Sequence, residues 1–138
     1  MFTYKRKINF HDCDVAGVLF FARIYELCHS AYEEMIASFN IGEDYWNNDN
    51  YIVPIIKSEA SYHKPLRYGE TVTVEIKVEQ LKSSSFELYY ECKNGKGEVT
   101  DKVRTVHVCV DKKDWKKSEL PGKVYQGLKS ILEIPNSK

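Results

Sequence analysis

The most constraining feature of this sequence is one broad helical stripe followed by a run of alternating segments. From about Ala22 onward, apolar residues recur at intervals of three and four, the spacing of one helix face. They are Ile24, Leu27, Cys28, Ala31, Met35 and Phe39, and the stripe is widened by Tyr25, Tyr32 and Ile36. Asn40 and Gly42 fit the end of this helix. A helix that is apolar over so much of its girth must be covered on several sides.

Period-two alternation, which predicts β-strands, occupies most of the remaining chain. One such segment runs from Phe2 to Phe10. An apolar, β-rich segment from Ile52 to Tyr62 follows the helix, with Pro54 near its start, where a missing donor is tolerated. The later apolar positions are Val72, Val74, Ile76 and Val78, then Phe86, Leu88, Tyr90 and Cys92, then Val106, Val108 and Val110. Asn94-Gly95 indicates a hairpin turn.

Two further segments complete the pattern. The polar stretch from Glu43 to Tyr51 predicts a loop or a short helix, and Pro121-Gly122 precedes a periodic tail that predicts a terminal helix. The element order is therefore strand, long helix, four strands and short helix. This order predicts an α+β fold in one domain, residues 1–138, with an antiparallel sheet wrapped around the long helix.

Charge and cysteine usage narrow the class of protein. The chain has 20 basic and 20 acidic residues, so it lacks the excess positive charge of a general nucleic-acid binder. The N-terminal residues lack the apolar stretch of a secretory signal, and no segment is apolar over the length of a membrane span. The four cysteines form no C-x-x-C pair. We therefore expect free thiols in a cytoplasmic protein that binds neither nucleic acid nor membrane.

The segment that precedes the helix contains the residues best suited to chemistry. Asp14 is followed by Gly17, and the helix begins a few residues later. The first N–H groups of a helix lack internal partners and can donate to an oxygen that gains negative charge. A nearby carboxylate can attack an acyl carbon or activate water, and a glycine lets the backbone approach a ligand. By itself, Asp-x-Asp before a helix is more typical of a turn and an N-cap.

The segment Asp12-Cys13-Asp14-Val15-Ala16-Gly17-Val18-Leu19-Phe20-Phe21 resembles the motif of the 4-hydroxybenzoyl-CoA thioesterase family of hotdog proteins. The resemblance continues in order along nearly the whole chain. It includes 28–33, 64–70, Ser85-Phe86, 105–109 and Leu120-Pro121. These later segments look most like the branch that hydrolyses 1,4-dihydroxy-2-naphthoyl-CoA in quinone synthesis.

The resemblance implies roles for individual residues. Asp14 is the catalytic carboxylate, the backbone N–H of Phe21 polarises the thioester carbonyl, and Asp12 shapes the turn. The implied fold is a hotdog that assembles as a homodimer or homotetramer with sites between subunits. Coenzyme A is part of the substrate and leaves as a product, so no bound cofactor is expected. Two departures are that Arg23-Ile24 replaces the Asn-Tyr of many relatives, and Phe21 stands where others have histidine.

Other residues have both a structural and a functional interpretation. His29 lies four residues from Tyr25 and from Glu33. It is either a histidine held by Glu33 or, with Tyr25 and Phe20, part of the acyl pocket. The polar residues Lys64, Arg67, Lys82 and Ser84 form either a solvated rim or contacts to the phosphates of coenzyme A.

The remaining histidines and Cys13 receive structural interpretations. His11 and His63 read as ordinary strand-end residues, and His107 sits among valines. No histidine pair has metal-ligand spacing, so we expect no metal site. A cysteine nucleophile needs a base or a helix dipole to lower its pKa. Cys13 reads as a packing residue, because in this stretch it should point away from the neighbours of Asp14 and the resemblance gives it no role.

The expected function is hydrolysis of an aromatic acyl-CoA, specifically 1,4-dihydroxy-2-naphthoyl-CoA. The alternatives are a general aliphatic acyl-CoA thioesterase and a non-catalytic acyl-CoA binder. A hotdog dehydratase is disfavoured because it needs a histidine base in a loop or an Asp/His pair, and neither is present.

Overall fold

A computed structural model describes residues 1–132; the last six residues of the predicted domain lie outside the described part. Its elements are β1 (Phe2–Lys7), α1 (Arg23–Ser38), β2 (Tyr51–Ile52), β3 (Ile55–Tyr62), β4 (Thr71–Leu81), β5 (Ser85–Lys93), β6 (Val99–Val108), β7 (Val110–Asp111) and α2 (Gly122–Ile131). The predicted α+β class is confirmed. Neither described helix is long and apolar enough to cross a bilayer.

Five strands form one antiparallel sheet in the order β1-β4-β5-β6-β3. The consecutive strands β4, β5 and β6 form a meander, while β1 and β3 lie at the two edges. In the register, Val74 lies opposite Cys92, and Tyr90 opposite Val103. The short strands β2 and β7 pair separately. This arrangement is the predicted sheet around one long helix, so the hotdog prediction is confirmed.

The core lies between α1 and one face of the sheet. The fully buried helix residues Ile24, Leu27, Ala31 and Met35 belong to the predicted stripe. Every second residue of the meander faces them, and the buried ones include Val72, Val74, Ile76, Leu88, Cys92 and Val103. Burying one such aliphatic side chain is worth about 1.5–3 kcal/mol. This packing explains why the two periodicities in the sequence identify the fold.

The first predicted strand is too long. β1 ends at Lys7, and Phe10 lies in a short 3-10 helix with its side chain largely exposed. The chain turns because the Asp12 carboxylate accepts a hydrogen bond from the Asn9 N–H at 3.0 Å. The alternation that placed Phe10 in the strand was therefore coincidental.

The strand predicted from Ile52 to Tyr62 is interrupted at Val53-Pro54. Tyr51–Ile52 pairs with β7, whereas the longer part beyond Pro54 pairs with β6. The Pro54 carbonyl accepts a hydrogen bond from the Val108 N–H at 3.1 Å, where the sheet splits. The preceding polar stretch is a loop up to β2, which resolves the open alternative of a short helix.

The last predicted strand also differs in its limits. β6 begins at Val99, well before Val106, and ends at Val108, so that Val110 belongs to the separate strand β7. The early start brings Asp101 onto the inner face of the sheet, where it is buried. The predicted terminal helix is present as α2, which packs against β4.

Candidate active site

The loop that carries Asp14 is held in one conformation by its own backbone. The Asp14 N–H donates to the Val18 carbonyl at 2.9 Å, and the Gly17 N–H donates to the Asp14 carbonyl at 3.0 Å. Gly17 has a φ of 78°, a left-handed conformation that glycine adopts without a Cβ penalty. The exposed Asp14 carboxylate accepts a hydrogen bond from the Ala16 N–H at 2.9 Å through Oδ1. The loop thus fixes the carboxylate and keeps it accessible.

The loop is supported by the segment that leads into β4. The Leu19 N–H donates to the Leu66 carbonyl at 2.7 Å, and Val18 forms an isolated bridge with Arg67. Arg67 therefore contributes its backbone to this support, and its side chain is exposed. Its predicted phosphate contact stays a prediction.

Asp12, the other carboxylate of the motif, has a different environment. It is 3% exposed and accepts the Asn9 N–H, and its Oδ1 lies 3.5 Å from Arg23 Nη1 and 3.6 Å from His11 Nε2. Arg23, which replaces the asparagine of many relatives, therefore supplies a positive charge to this buried carboxylate. Asp12 holds the turn, as the resemblance implied, and leaves Asp14 as the accessible acid.

The chain enters α1 through a tight turn. The Arg23 N–H donates to the Phe20 carbonyl at 2.8 Å, and the Ile24 N–H donates to the Phe21 carbonyl at 3.3 Å. These bonds satisfy the first N–H groups of the helix itself. The Phe21 N–H, one turn earlier, has no acceptor among residues 1–132. The Phe21 carbonyl also accepts the Tyr62 hydroxyl at 3.1 Å, which ties this peptide to the end of β3.

Asp14 and Phe21 line the same cavity, which has a volume of about 420 Å³. Its walls come from the Asp14 loop, the start of α1, the end of β3 and the start of β6. The lining residues are Asp14, Val18, Leu19, Phe20, Phe21, Tyr62, His63, Lys64, Pro65, Leu66 and Asp101. The fold therefore brings together four of the predicted site residues, namely Asp14, Phe20, Phe21 and Lys64. We call this space the carboxylate cavity.

The predicted phosphate-binding residues are not all near this cavity. Lys64 lines it, and its ammonium lies 3.0 Å from a Glu98 carboxylate oxygen. Hydrogen bonds from Asn94 and then Lys64 lower the pKa of Glu98. Lys82 and Ser84 flank the β4–β5 turn at the opposite end of the sheet, about 23 Å along β6 from Asp101. In one chain, Lys82 and Ser84 therefore cannot contact a group held beside Asp14.

Two residues of the carboxylate cavity were missed in the sequence. His63 was taken for an ordinary strand-end residue, but it lines the cavity just after β3. Asp101 is 4% exposed and occupies an inward position of β6. Burial raises the pKa of Asp101, whereas Thr100 and His63 lower it by smaller amounts. The sequence does contain a signal for Asp101: this charged residue lies two positions before Val103, in phase with the buried face of the strand.

A second, smaller cavity of about 150 Å³ lies between α1, β3 and β6. It is lined by Tyr25, Cys28, His29, Ile55, Ser58, Tyr90 and Thr105. His29 Nδ1 lies 2.7 Å from a Glu33 carboxylate oxygen, and the His29 side chain is 40% exposed. Both interpretations of His29 therefore describe its geometry: it is held by Glu33, and it lines a pocket together with Tyr25.

The two cavities are neighbours. Tyr62 lines the carboxylate cavity, and Tyr25 lines the small one. The pKa of Tyr62 is raised mainly by burial and to a smaller extent by Tyr25, so the two side chains lie close together. The small cavity ends on a buried chain of polar groups. The Thr105 hydroxyl lies 3.0 Å from the Tyr90 hydroxyl and 2.7 Å from His107 Nε2. Burial, and then the charge of His29, lower the pKa of His107 to about 3, so this ring is neutral at physiological pH.

Cys13 is poorly placed to act as a nucleophile. Its thiol lies 3.6 Å from the Asn9 carbonyl. Burial and the charges of Asp12 and Asp14 raise the pKa of Cys13, which opposes formation of the thiolate. In the described part of the chain, no three His, Cys, Asp or Glu side chains are grouped closely enough to hold a metal ion.

Comparison with known proteins shows which family this chain resembles. Residues 8–128 match the thioesterase-like superfamily. A 1,4-dihydroxy-2-naphthoyl-CoA hydrolase from Nostoc punctiforme is 32% identical over 94% of this chain and 87% of its own length. The corresponding hydrolase from Gloeothece citriformis is 33% identical over 95% and 94%. A solved 1,4-dihydroxy-2-naphthoyl-CoA thioesterase from Synechocystis superposes with a TM-score of 0.86 at 25% identity, over 94% and 96% of the two chains. This chain therefore belongs to the thioesterase-like superfamily.

Proposed function

We propose that this protein hydrolyses 1,4-dihydroxy-2-naphthoyl-CoA to the free acid and coenzyme A. The observation that carries the proposal is that one cavity is lined by Asp14, whose carboxylate is accessible, and by Phe21, whose N–H has no acceptor among residues 1–132. These are the two groups that thioester hydrolysis requires, an acid residue beside the acyl carbon and a donor for its oxygen. The substrate follows from the two hydrolases named above, which are similar over nearly the whole chain.

In this mechanism the thioester carbonyl accepts a hydrogen bond from the Phe21 N–H. The partial positive charge at the start of α1 stabilises the oxygen as it becomes negative. Asp14 then either attacks the acyl carbon or removes a proton from the water that attacks it. The carbon–sulfur bond breaks, and the thiolate of coenzyme A leaves and takes up a proton. In the base route the attacking water supplies the second carboxyl oxygen of the acid; in the nucleophile route water hydrolyses the anhydride, which releases the acid and restores Asp14.

A single-turnover reaction in H₂¹⁸O distinguishes the two roles of Asp14. If Asp14 attacks, an anhydride forms, and its hydrolysis at the aspartyl carbon places ¹⁸O in the enzyme. If Asp14 acts as a base, all of the ¹⁸O appears in the acid product. Mass spectrometry of the peptide that contains Asp14 measures the difference.

The proposal includes a second copy of the chain. β3 is an edge strand whose residues are largely exposed, and an unpaired edge with apolar residues such as Ile55 and Ile56 is unusual in a monomer. Pairing through this edge would form a homodimer, and two dimers would form a homotetramer. It would also bring a second set of Lys82 and Ser84 side chains to the assembly. Light scattering that found a fully active monomer would contradict this part of the proposal.

A thiol-release assay with a panel of CoA esters tests the proposed activity. The expected order of kcat/KM is 1,4-dihydroxy-2-naphthoyl-CoA first, then benzoyl-CoA, then straight-chain esters. Hexanoyl-CoA or longer esters that matched the hydroxynaphthoyl ester would indicate a general aliphatic thioesterase. Binding without thiol release would indicate a non-catalytic binder. A cytoplasmic location and the absence of a bound cofactor stay predictions.

A further inference from the structure

Asp101 is a buried acid whose environment differs from that of Asp12. Both side chains are nearly inaccessible, at 4% and 3% exposure. Asp12 has a backbone donor and lies close to the Arg23 guanidinium and the His11 ring, whereas Asp101 Oδ1 is buried with no hydrogen-bond partner among the described residues. A buried acceptor without a donor is costly and rare in folded proteins. Asp101 nevertheless lines the carboxylate cavity that contains Asp14.

Three nearby polar side chains make other contacts, and none of them is a hydrogen-bond partner of Asp101 Oδ1. The Tyr62 hydroxyl donates to the Phe21 carbonyl at 3.1 Å, and the Thr100 hydroxyl donates to the Cys92 carbonyl at 3.2 Å. His63 Nε2 lies 3.1 Å from the Ser61 hydroxyl. Among the described residues, none therefore donates to Asp101 Oδ1, and a molecule that enters the cavity beside Asp101 can supply a donor to this carboxylate.

The burial gradient across the cavity indicates which part of the substrate reaches Asp101. Asp14 is exposed and Phe21 is 63% exposed, whereas Asp101 is almost inaccessible. The nucleotide of coenzyme A is highly charged and must stay near solvent, so the acyl group occupies the buried side. In the proposed substrate, the donors on that group are the ring hydroxyls.

We propose that Asp101 accepts a hydrogen bond from a ring hydroxyl of the acyl group and so selects hydroxylated aromatic esters. This inference rests on the proposed function, of which it deepens the substrate specificity. A hydroxyl that donates to a carboxylate forms a charge-assisted bond, about twice as strong as a neutral one. An acyl group without the hydroxyl leaves the buried acceptor unpaired, and sites of this kind discriminate strongly.

The test compares Asp101→Asn with the wild type on four esters. They are 1,4-dihydroxy-2-naphthoyl-CoA, 1-hydroxy-2-naphthoyl-CoA, 4-hydroxy-2-naphthoyl-CoA and 2-naphthoyl-CoA. We expect Asp101→Asn to lower kcat/KM by about tenfold or more for the esters that carry the recognised hydroxyl, because the charge-assisted bond is lost. The kcat/KM for 2-naphthoyl-CoA should stay the same or rise. The two monohydroxy esters identify which hydroxyl is recognised.

Thermal unfolding separates the proposed role of Asp101 from a structural one. Loss of a residue that stabilises the fold would lower Tm, whereas the proposed role predicts a higher Tm. Because Asp101 is buried and its Oδ1 has no partner among the described residues, Asp101→Asn should raise Tm by about 2–5 °C at pH 7.5. The matched control is Asp12→Asn, which removes a buried acid with three partners and should lower Tm. Its effect on kcat/KM should be similar for hydroxylated and plain esters.

The possible failures are distinguishable. If wild type hydrolyses none of the aromatic esters, the proposed function itself is wrong. If wild type hydrolyses them, the role of Asp101 is overturned by an equal loss on all four esters, by an unchanged substrate preference, or by a lower Tm or failure to fold in Asp101→Asn. An equal loss on all four would instead place Asp101 against the pantetheine arm that every ester shares.

Discussion

The two ends of α1 differ in how well their polar groups are satisfied. At the N-terminal end, the Asp14 carboxylate is exposed, the Phe21 N–H lacks an acceptor within residues 1–132, and Asp101 Oδ1 is buried without a donor. Toward the C-terminal end, Tyr32 is fully buried, and its hydroxyl lies 2.5 Å from the Tyr45 hydroxyl. The centroid of the Tyr32 ring lies 4.6 Å from that of His107, whose Nε2 bonds to Thr105 and whose Nδ1 has no partner among the described residues.

This difference separates chemistry from stability along one helix. Unsatisfied groups that line a cavity destabilise a fold but remain available to a ligand, whereas a buried and bonded pair such as Tyr32 and Tyr45 mainly stabilises the fold. Substitutions at the N-terminal end should therefore change turnover more than stability. Substitutions in contact with the C-terminal half should do the opposite, and the following predictions test this contrast.

The largest effect is expected for Asp14→Asn. The substitution keeps the size of the side chain and removes the charge, so kcat should fall by about 10²-fold or more. Tm should change little, because Asp14 is exposed and its Oδ1 accepts only the Ala16 N–H. Thiol release and thermal unfolding measure the two quantities on the same sample. A variant that kept most of its activity would make Asp12 the next candidate for the catalytic acid.

The pH dependence of the free energy of unfolding should reveal the lowered pKa of His107. Its pKa is about 3 in the folded protein and about 6.5 in the unfolded chain, so the unfolded state binds more protons between these values. The stabilising contribution is complete above pH 6.5 and is lost as the pH falls toward 3. Between pH 7.5 and 5, this one group should lower the free energy of unfolding by about 2 kcal/mol.

Denaturant titrations of wild type and His107→Gln isolate that contribution. The variant lacks the titrating ring, so the difference between the two proteins should shrink as the pH falls. A difference that stayed constant from pH 7.5 to 5 would mean that His107 is protonated to the same extent in both states. His107→Gln should affect the kcat/KM of the folded protein less than it affects the free energy of unfolding.

Gly127→Ala should perturb the contact between α2 and the end of α1. A Cβ at this position would overlap the ring of Phe39, at its Cγ and both Cδ atoms. Overpacking costs about 1–3 kcal/mol, which exceeds the gain of up to about 1 kcal/mol from replacing glycine in a helix. We therefore expect lower stability with unchanged kcat/KM at 20 °C. The double variant Gly127→Ala/Phe39→Leu should recover part of the loss, and no recovery would show that the ring is not the obstacle.

The sequence predicts α1 and the meander well because burial there is periodic. Residues such as Leu27, Met35 and Val74 occupy the positions that a helix or a strand must bury. Interruptions are less predictable, because they depend on single hydrogen bonds. The break at Pro54 and the turn held by Asp12 each involve one hydrogen bond from a backbone N–H, and the alternation of apolar residues does not predict such bonds.

The candidate site is less predictable for a related reason. Asp14 and Phe21 are seven positions apart in the motif segment, so their proximity follows from local structure. Asp101 reaches the same cavity only through the pairing of β6 with β3, in which it lies opposite Tyr62. Contacts that join distant segments through sheet register need the whole topology. The same register places Lys82 and Ser84 at the opposite end of the sheet.

The smallest effect is expected for Cys13, although it lies beside Asp14. Reactive cysteines occupy electropositive surroundings that stabilise the thiolate. Cys13 lies instead between two acids, and burial together with the charges of Asp12 and Asp14 raises its pKa. At neutral pH the thiol is therefore protonated, and it lies 3.6 Å from the Asn9 carbonyl.

Cys13→Ala should accordingly leave kcat/KM unchanged and alter the free energy of unfolding by about 0.5 kcal/mol or less. The matched control is Cys28→Ala, which removes a fully buried sulfur from the core and should cost about 1–2 kcal/mol without loss of turnover. Steady-state kinetics and denaturant unfolding of both variants provide the comparison. A folded Cys13→Ala variant without turnover, together with an active Asp14→Asn variant, would show that the nucleophile is the Cys13 thiol. The N-terminal end of α1 would then support thiol chemistry in place of carboxylate chemistry.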